Sequence, residues 1–371
     1  MTIYLTHYRT ASTEYVEQLD DIKYPQKVHW FPESYTRAKS GLFYVPHYLA
    51  NKVLDLDLMK YLRENKVGKT AFILASGNAH FAGINQRPYD DNRLNYVYKF
   101  LPFTLTQVFA GRTAQAFGDL DMVTTDASAC ASSLKVMMDV QNLMRNFDFD
   151  RVIVLTVEDG ITNAVLEFFG ESKAVLTVKD EEAGKLPSAF DFMHGGFRIG
   201  QGAALAVFES DRSVQKLGIT PIAEFLGSYS ASEASTNAIG QLESGEGYIK
   251  AIEGCLFAAS TRATEISIVK THGTGTASNN VSEKNALLKS IPSFVATSYK
   301  QKIGHTMGSS GLLETLLLLK DIKSGIIPKI ENRTEYDPVF LSDSVTPPDG
   351  LILSLAAGMG NIYSAAIFKA L

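Results

Sequence analysis

The chain has 371 residues, of which 45% are hydrophobic and 20% charged, and this composition is typical of a folded protein and excludes wholesale disorder. Its formal net charge of -5, from 35 Lys and Arg against 40 Asp and Glu, argues against a broadly basic nucleic-acid-binding protein. No apolar run reaches the ~18 residues of a membrane span, and the first residues lack a secretory signal. The presence of only two cysteines fits a reducing compartment. We therefore predict a cytoplasmic protein that binds neither membrane nor nucleic acid.

Apolar segments of strand length alternate with helix-length segments along the chain. The strand candidates are continuous apolar runs, which indicates strands covered on both faces. In chain order the candidates are a helix at 132–146, strands at 150–159 and 204–208, a helix at 247–260, a strand at 265–270, a helix at 282–291, a strand at 293–298, a helix at 311–325, and strands at 351–355 and 364–368. This alternation predicts an α/β architecture with mostly parallel sheets.

Two stretches of the chain look alike and suggest an internal repeat. A Thr-rich strand end at 123–128 leads into the first helix, and residues 295–311 lead in the same way into the helix at 311–325. Later in each half, a Gly-bearing segment precedes a short strand that ends in Phe, at 200–208 and at 358–368. Two interpretations stay open, a duplicated fold or two unrelated strand–helix units.

Cys130 lies between an extended segment and the helix at 132–146, among small residues. A thiol at a helix N-terminus is next to the positive end of the helix dipole and to free N–H groups, which favours the thiolate. The N–H of Cys130 could in addition donate to an oxyanion. The alternative is a buried, inert cysteine, which is the usual fate of a free thiol and which we expect for Cys255, in the middle of a predicted helix.

Two histidines follow the ends of predicted strands. His272 comes two residues after Lys270 and begins the segment HGTGT. His305 comes five residues after Lys300 and precedes a turn of small residues into a helix, as Cys130 does. Each histidine could instead be a turn or capping residue, and Lys300 a solvated one.

The positions of Cys130, His272 and His305 are of one kind, because each follows the end of a predicted strand. In open α/β sheets, active sites gather at the edge formed by the C-terminal ends of the strands. One thiol and two imidazoles at such an edge favour a nucleophilic site for acyl transfer.

Three segments carry a resemblance to a known family: ASACASSLK at 127–135, KTHGTGT at 270–276 followed by Glu283, and Lys300 followed by GHTMGSSGLLE at 304–314. They resemble the signature segments of β-ketoacyl synthases, the decarboxylating condensing enzymes of the thiolase superfamily, in its Cys-His-His branch. Residues 190–208 and 353–368 are similar to two further segments of that family. The resemblance implies a thiolase-like duplicated α/β fold with five layers, α-β-α-β-α, in which 1–235 carries the nucleophilic Cys and 236–371 carries both catalytic His.

The resemblance also implies a reaction and a role for each site residue. The reaction is the decarboxylative Claisen condensation of an acyl thioester with a malonyl thioester on an acyl carrier protein, through an acyl-Cys130 intermediate, with His272 and His305 stabilising the enolate. The other implied roles are oxyanion donation by the N–H groups of Cys130 and Met359, electrostatic organisation by Lys300, loop support by Glu314, and binding of the phosphopantetheine arm by Thr274 and Thr276. No metal or redox cofactor is implied, since the substrates are carried on phosphopantetheine.

Departures from the family pattern bear on the substrate and on docking. Ala357 and Met359 stand where the family has two Phe, which favours a roomier acyl tunnel and a specialised pathway of the type II polyketide or aryl polyene kind. The residues that change the family's usual docking segment are Ser188, Phe192, His194 and Gly195. We expect an acidic carrier protein to dock on a basic patch around the tunnel mouth, and the candidates are Arg37, Lys39, Lys60, Arg63, Lys66 and Lys69.

The expected partners are an acyl carrier protein and a second subunit, in a homodimer or in a heterodimer with a paralogous ketosynthase-like subunit. Two other functions remain open. One is a partner subunit similar to a chain-length factor, although such subunits usually lack the nucleophilic Cys. The other is an acyltransferase that no longer decarboxylates.

Overall fold

The computed structural model describes residues 1–12, 50, 53–77, 106–158, 169, 174–176, 180, 182–191, 193–235, 240–334 and 337–371. The strands in these ranges are β1 Ile3–Ser12, β2 Lys69–Ala75, β3 Met122–Asp126, β4 Phe149–Glu158, β5 Gly202–Ser210, β6 Ala223–Ser232, β7 Ile266–Lys270, β8 Val295–Thr297, β9 Leu351–Gly358 and β10 Ile362–Ala370. The helices are α1 Leu56–Glu64, α2 Thr106–Ala114, α3 Ser132–Asn146, α4 Asp211–Leu217, α5 Glu246–Ala259, α6 Ala277–Ser290, α7 Lys300–Ile303 and α8 Ser310–Lys323. Among these helices, none is long and apolar enough to cross a membrane.

The strands repeat one arrangement twice. The sheet order is β3-β2-β4-β5-β1-β6-β10-β9-β7-β8, so the five strands of the first half and the five of the second half occupy equivalent places. In each half the second strand pairs in parallel with the third and the fourth, and the fifth pairs antiparallel with the fourth and the first. The halves join where Ile3–Leu5 of β1 pair with Ala223–Phe225 of β6. The predicted internal repeat is therefore confirmed.

Five layers follow from where the apolar side chains are buried. Helices α3 and α8 pack against each other, and their buried side chains share one core with strands of both halves. Helices α1 and α2 cover the other face of the first half, and α5 and α6 cover the other face of the second half. The layers are thus α-β-α-β-α, and strands covered on both faces explain the continuous apolar runs in the sequence.

Two predictions about elements need correction. The sheet is mixed, not mostly parallel, because β1, β5, β6 and β10 pair antiparallel, and an apolar run records burial on both faces but not strand direction. Helix α6 begins at Ala277, five residues before the predicted start, so Ser282 lies inside it. The sheet order groups β6 with the second half, and the predicted boundary at 235/236 stays a prediction.

Contacts between the halves create one junction at the C-terminal ends of β3, β7, β8 and β9. The turn after β3 carries Cys130, and it touches Gly358 at the end of β9. Residue Ile199, which precedes β5, forms a β-bridge with His305, which follows β8. The duplicated fold therefore brings segments that are far apart in sequence to one place.

Candidate active site

Cys130 lies in a short 3₁₀ turn, Ala129–Ala131, that leads directly into α3. Its side chain is buried in a small apolar cluster with Phe197, Ile199 and Met307, and Met359 packs against the cluster. The Sγ atom of Cys130 lies 4.0 Å from Sδ of Met307. The thiol of the first half therefore touches the turn of the second half that follows His305.

The electrostatic surroundings keep the Cys130 side chain protonated. Burial raises the pKa of the thiol to about 12; the Lys300 ammonium opposes this shift, and the Glu158 carboxylate adds to it. The sequence prediction of a thiolate is wrong for the resting protein, because desolvation outweighs the effect of the helix N-terminus. The proton must leave the sulfur as part of any reaction there.

Gly358, the last residue of β9, lies against the backbone of the Cys130 turn. A Cβ at this position would lie 2.8 Å from the carbonyl oxygen of Ser128 and 3.1 Å from the nitrogen of Ala131. Only glycine allows this approach. The next residue, Met359, consequently belongs to the surroundings of Cys130, where its N–H was predicted to act.

His272 follows β7 directly, in a loop that is held by a buried carboxylate. Oε1 of Glu283 accepts a hydrogen bond from the N–H of His272 at 2.6 Å, and Oε2 accepts from the N–H of Gly273 at 2.9 Å. Asn279 donates to the same Oε2 at 3.0 Å. The imidazole is buried, and its Nδ1 has no hydrogen-bond partner among the described residues.

His305 is fixed by its backbone and by its ring. Its N–H donates to the carbonyl oxygen of Arg198 at 2.6 Å, and its Nδ1 lies 2.9 Å from Oγ of Ser310. The ring meets Phe197 edge to face at 4.9 Å between centroids, and the ring of His272 at 5.6 Å. Phe197 thus contacts both the thiol cluster and His305, which links all three predicted site residues.

Both imidazoles are neutral near neutral pH. Burial lowers the pKa of His272 and of His305 well below the ordinary value, and the nearby Lys300 ammonium lowers both further. A neutral imidazole carries one N–H, so each ring can donate one hydrogen bond into the site.

Lys300 and Glu314 form a buried ion pair beside the histidines. The Nζ atom of Lys300 donates to Oε1 of Glu314 at 2.7 Å, and both side chains are fully buried. The other carboxylate oxygen, Oε2, accepts from Lys270 at 3.3 Å. Sequence reasoning treated Lys270 only as the end of a strand; a lysine at the end of a run of buried residues was the signal that it needs a partner.

Thr274 and Thr276 lie on the loop after His272, and their hydroxyl oxygens are 3.1 Å apart. Thr274 is buried and Thr276 half-buried. Gly275 between them has a φ of 76°, and its carbonyl oxygen accepts from the N–H of Gly196 at 2.7 Å. The loop is therefore fixed, and Thr276 is the more accessible of the two hydroxyls.

The other residues singled out in the sequence do not enter the site described above. Cys255 is buried in α5, and burial raises the pKa of its thiol well above the ordinary value. Nδ1 of His194 accepts from the N–H of Leu186 at 3.3 Å, and Ser188 is buried. Phe192 lies outside the described residues. Among the residues that the structure describes, no group of three or more His, Cys, Asp and Glu could hold a metal ion.

Three of the six residues of the predicted basic patch lie at the edge of the sheet opposite to the site, and the patch stays a prediction. Lys69 begins β2, whereas the site follows the strands' other ends, so one strand length of about 20 Å separates them. Arg63 donates to the carbonyl oxygen of Ala116 before β3, and the carbonyl oxygen of Lys66 accepts from Lys216 after β5. Both lie at the same far edge as Lys69. Lys60 pairs with Glu64 along α1, and the other two candidates, Arg37 and Lys39, lie outside the described residues.

Comparison with known proteins gives a consistent result. Residues 58–213 match the model of the N-terminal domain of β-ketoacyl synthases, and residues 222–334 match the model of the C-terminal domain. The chain is 26% identical over 281 residues to the chloroplastic 3-oxoacyl-[acyl-carrier-protein] synthase I of Arabidopsis thaliana. The aligned residues cover 73% of this chain and 59% of the relative. The match spans less than two thirds of the length of the curated relatives that it resembles.

Two solved structures share the whole fold. One is a ketosynthase, bound to a hexaketide, in complex with its type II polyketide acyl carrier protein, with a TM-score of 0.80 and 16% identity. The other is the ishigamide ketosynthase/chain length factor, with a TM-score of 0.78 and 16% identity. Each comparison covers 100% of this chain and 99% of the other chain. The predicted thiolase-like α/β fold is thereby confirmed.

Proposed function

The chain belongs to the β-ketoacyl synthase family, and from this premise we propose that it catalyses the decarboxylative condensation of an acyl thioester with a malonyl thioester carried by an acyl carrier protein. The observation that supports this most is the junction between the halves. There the Cys130 thiol lies beside the turn that follows His305, which is one of two neutral, adjacent imidazoles, and a buried Lys300–Glu314 pair lies nearby.

The first step is a transfer of the acyl group to sulfur. The Cys130 sulfur attacks the thioester carbonyl, the carbon–sulfur bond to the carrier breaks, and the thiol proton ends on the departing carrier thiol. No net proton is gained or lost, so a thiol whose pKa is raised to about 12 is compatible with the step. The N–H groups of Cys130 and Met359 are the proposed donors to the tetrahedral oxyanion.

The second step forms the new carbon–carbon bond. The malonyl thioester loses CO₂ and leaves an enolate, whose carbon attacks the carbonyl of acyl-Cys130 and expels the sulfur as a thiolate. The thiolate then takes up one proton from water and returns to the resting thiol. His272 and His305 would each donate one N–H bond to the enolate oxygen. Their neutrality supports this role, since donation needs no deprotonation and the buried site gains no further cation.

The loop after His272 is the proposed contact for the arm that carries the malonyl group. Thr274 and Thr276 present two neighbouring hydroxyls beside the imidazole, which suits the amide groups of phosphopantetheine. Glu314 supports the site by holding Lys300. The proposed chemistry uses no metal and no redox cofactor.

The acyl substrate proposed is a polyketide or polyene chain rather than an ordinary fatty acyl chain. Ala357 is buried in β9 and Met359 packs against the cluster around Cys130, where the resemblance places two Phe. A small side chain beside a flexible one leaves more room and a softer wall around an acyl chain. The two structural neighbours described above come from a type II polyketide complex and from an ishigamide ketosynthase/chain length factor. Their origin also supports a polyketide or polyene substrate.

The proposed partners are an acyl carrier protein and a second subunit, identical or paralogous, in the cytoplasm. β3 ends the sheet in the described residues, and its first residue, Met122, is exposed. An edge strand of this kind can pair with another chain. Light scattering should show a dimer of this chain alone or a heterodimer with its paralogue.

Intact-mass loading tests the proposal. The purified chain is incubated with acyl groups of several lengths on an acyl carrier protein, beside Cys130→Ala and the matched control Cys255→Ala. We expect one acyl adduct on the wild type and on Cys255→Ala, and none on Cys130→Ala. An adduct that survives in Cys130→Ala would refute the assignment of the nucleophile.

A partner subunit similar to a chain-length factor is the second candidate, supported by the structural likeness to the ishigamide ketosynthase/chain length factor. It would not load Cys130, and CO₂ release from labelled malonyl carrier would require another subunit. A non-decarboxylating acyltransferase would load Cys130 but release no labelled CO₂. The same two measurements therefore separate the three functions.

A further inference from the structure

Glu314 holds two buried lysines, one on each carboxylate oxygen. Lys300 donates to Oε1 at 2.7 Å and Lys270 to Oε2 at 3.3 Å, and none of the three side chains is exposed. Lys270 also donates to the carbonyl oxygen of Leu355 in β9 at 2.7 Å. The group has a formal charge of +1, and such a buried excess charge is costly unless every partner is in place.

Lys270, the second lysine bound by Glu314, also connects strand β7 to strand β9 through its side chain. Lys270 is opposite Ser354 in the last residue pair of the parallel β7–β9 ladder. Beyond it, β7 gives way to the loop of His272, while β9 continues to Gly358, which Met359 follows. The bond from the Lys270 side chain to Leu355 therefore continues the connection where the backbone ladder stops.

The charge of Lys270 reaches both imidazoles. Its proximity lowers the pKa of His272 and of His305, after the effects of burial and of Lys300. The charged groups that face Lys270 come from three helices: Glu314 on α8, Lys300 on α7 and Glu283 on α6. Burial lowers the pKa of Lys270 itself to about 8, and the two carboxylates oppose that shift.

We propose that Lys270 is a positioning residue of the condensation site, which fixes Lys300 through their shared carboxylate Glu314 and ties the end of β7 to β9. This inference rests on the proposed function, because the imidazoles matter through the enolate. It assigns no contact with substrate to Lys270.

The test compares Lys270→Met with the matched control Lys302→Met, which removes an exposed lysine from α7. Without the Lys270 ammonium, the pKa values of both histidines rise. The acid limb of the pH profile for the rate of CO₂ release should therefore move to higher pH. The rate at its optimum should fall about tenfold or more, as expected for the loss of a charge-assisted hydrogen bond. Loading of Cys130 should change much less, and Lys270→Arg should restore the acid limb.

Histidine titration by NMR on the protein without substrate gives an independent readout. If the wild type neither loads Cys130 nor releases CO₂, the proposed function fails, while the titration still shows whether Lys270 controls the imidazoles. Unchanged histidine titrations and an unchanged acid limb in Lys270→Met, with a loss of stability alone, would overturn the inference. If Lys270→Met does not fold, Lys270→Gln, which keeps a donor for Leu355 without the charge, gives the same comparison.

Discussion

Ala129 and Met307 occupy equivalent positions in the two halves of the fold. Each begins the 3₁₀ turn that follows the third strand of its half, and their φ angles are 48° and 44°. Residues other than glycine avoid this left-handed region at a cost of about 1–2 kcal/mol. The duplicated turn is therefore strained in both copies, and in one copy the next residue is Cys130.

Replacing Ala129 with glycine should relieve the backbone strain and make the turn that carries Cys130 more mobile. We expect Ala129→Gly to raise the free energy of unfolding by up to about 1 kcal/mol, because glycine adopts this φ without penalty. We also expect slower acylation, because the turn that presents Cys130 is less restricted. Denaturant unfolding and stopped-flow loading measure the two effects. The control is Ala131→Gly, at a φ of -89° in the same turn, which should be destabilised; equal effects of the two changes would contradict the account.

The bond between His305 and Ser310 should set which imidazole nitrogen carries the proton. Ser310 Oγ lies 2.9 Å from Nδ1 and 3.2 Å from the hydroxyl of Thr306, so it can accept from Thr306 and donate to Nδ1, which leaves the N–H on Nε2. Ser310→Ala should slow CO₂ release about 3–10-fold, the scale of one hydrogen bond, with normal loading of Cys130. Ser309→Ala, which loses a bond to the Thr306 carbonyl oxygen instead, is the control, and an equal loss of rate there would exclude a tautomer effect.

Removing either imidazole should affect condensation far more than acylation. By analogy with single oxyanion donors, His272→Ala and His305→Ala should each lower CO₂ release by about 10²–10³-fold. Cys130 should still accept an acyl group, since the enolate forms only after loading. Labelled CO₂ and intact mass, measured on the same samples, give the two rates. Loss of both activities in equal proportion would indicate that the histidines act on the thiol instead.

The sequence predicted which residues form the site better than it predicted the interactions that position those residues and set their charge. Strand ends, small residues and three motifs led to Cys130, His272, Lys300 and His305, because turns and strand ends leave local patterns. The charge state of Cys130 depends on burial and on the charges of Lys300 and Glu158, and the role of Lys270 depends on partners 44 and 85 residues away. No local pattern records either of them. Strand direction was missed for the same reason, since an apolar run is the same in a parallel and an antiparallel strand.

Gly358 should be irreplaceable even by alanine. A Cβ there would lie 2.8 Å from the Ser128 carbonyl oxygen, closer than real side chains approach. Gly358→Ala should push β9 away from the Cys130 turn, displace the Met359 N–H, and slow acylation by about tenfold or more. Gly111→Ala, in a helix with open space around the site of the new methyl group, should keep normal loading. Normal loading by Gly358→Ala would show that Met359 is not an oxyanion donor.

The neutral histidines should make the protein less stable in mild acid. Their pKa values are lowered in the folded state but ordinary, near 6.5, in the unfolded state. Below pH 6.5 the unfolded chain therefore binds more protons, and the free energy of unfolding falls as pH falls, by up to about 1.4 kcal/mol per pH unit for each histidine. Above pH 6.5 the contribution is constant.

The comparison of variants isolates this effect from other groups. His7 has a pKa that burial also lowers, and it acts in the same direction, whereas the raised pKa of Glu283 acts in the opposite one. Denaturant unfolding between pH 5 and pH 7.5 gives the slope of the free energy of unfolding against pH. This slope should be smaller for His272→Gln than for the wild type, and the difference should be close to the contribution of one histidine. Equal slopes in the two proteins would mean that the pKa of His272 is not lowered in the folded state, and the neutral-donor mechanism would then fail.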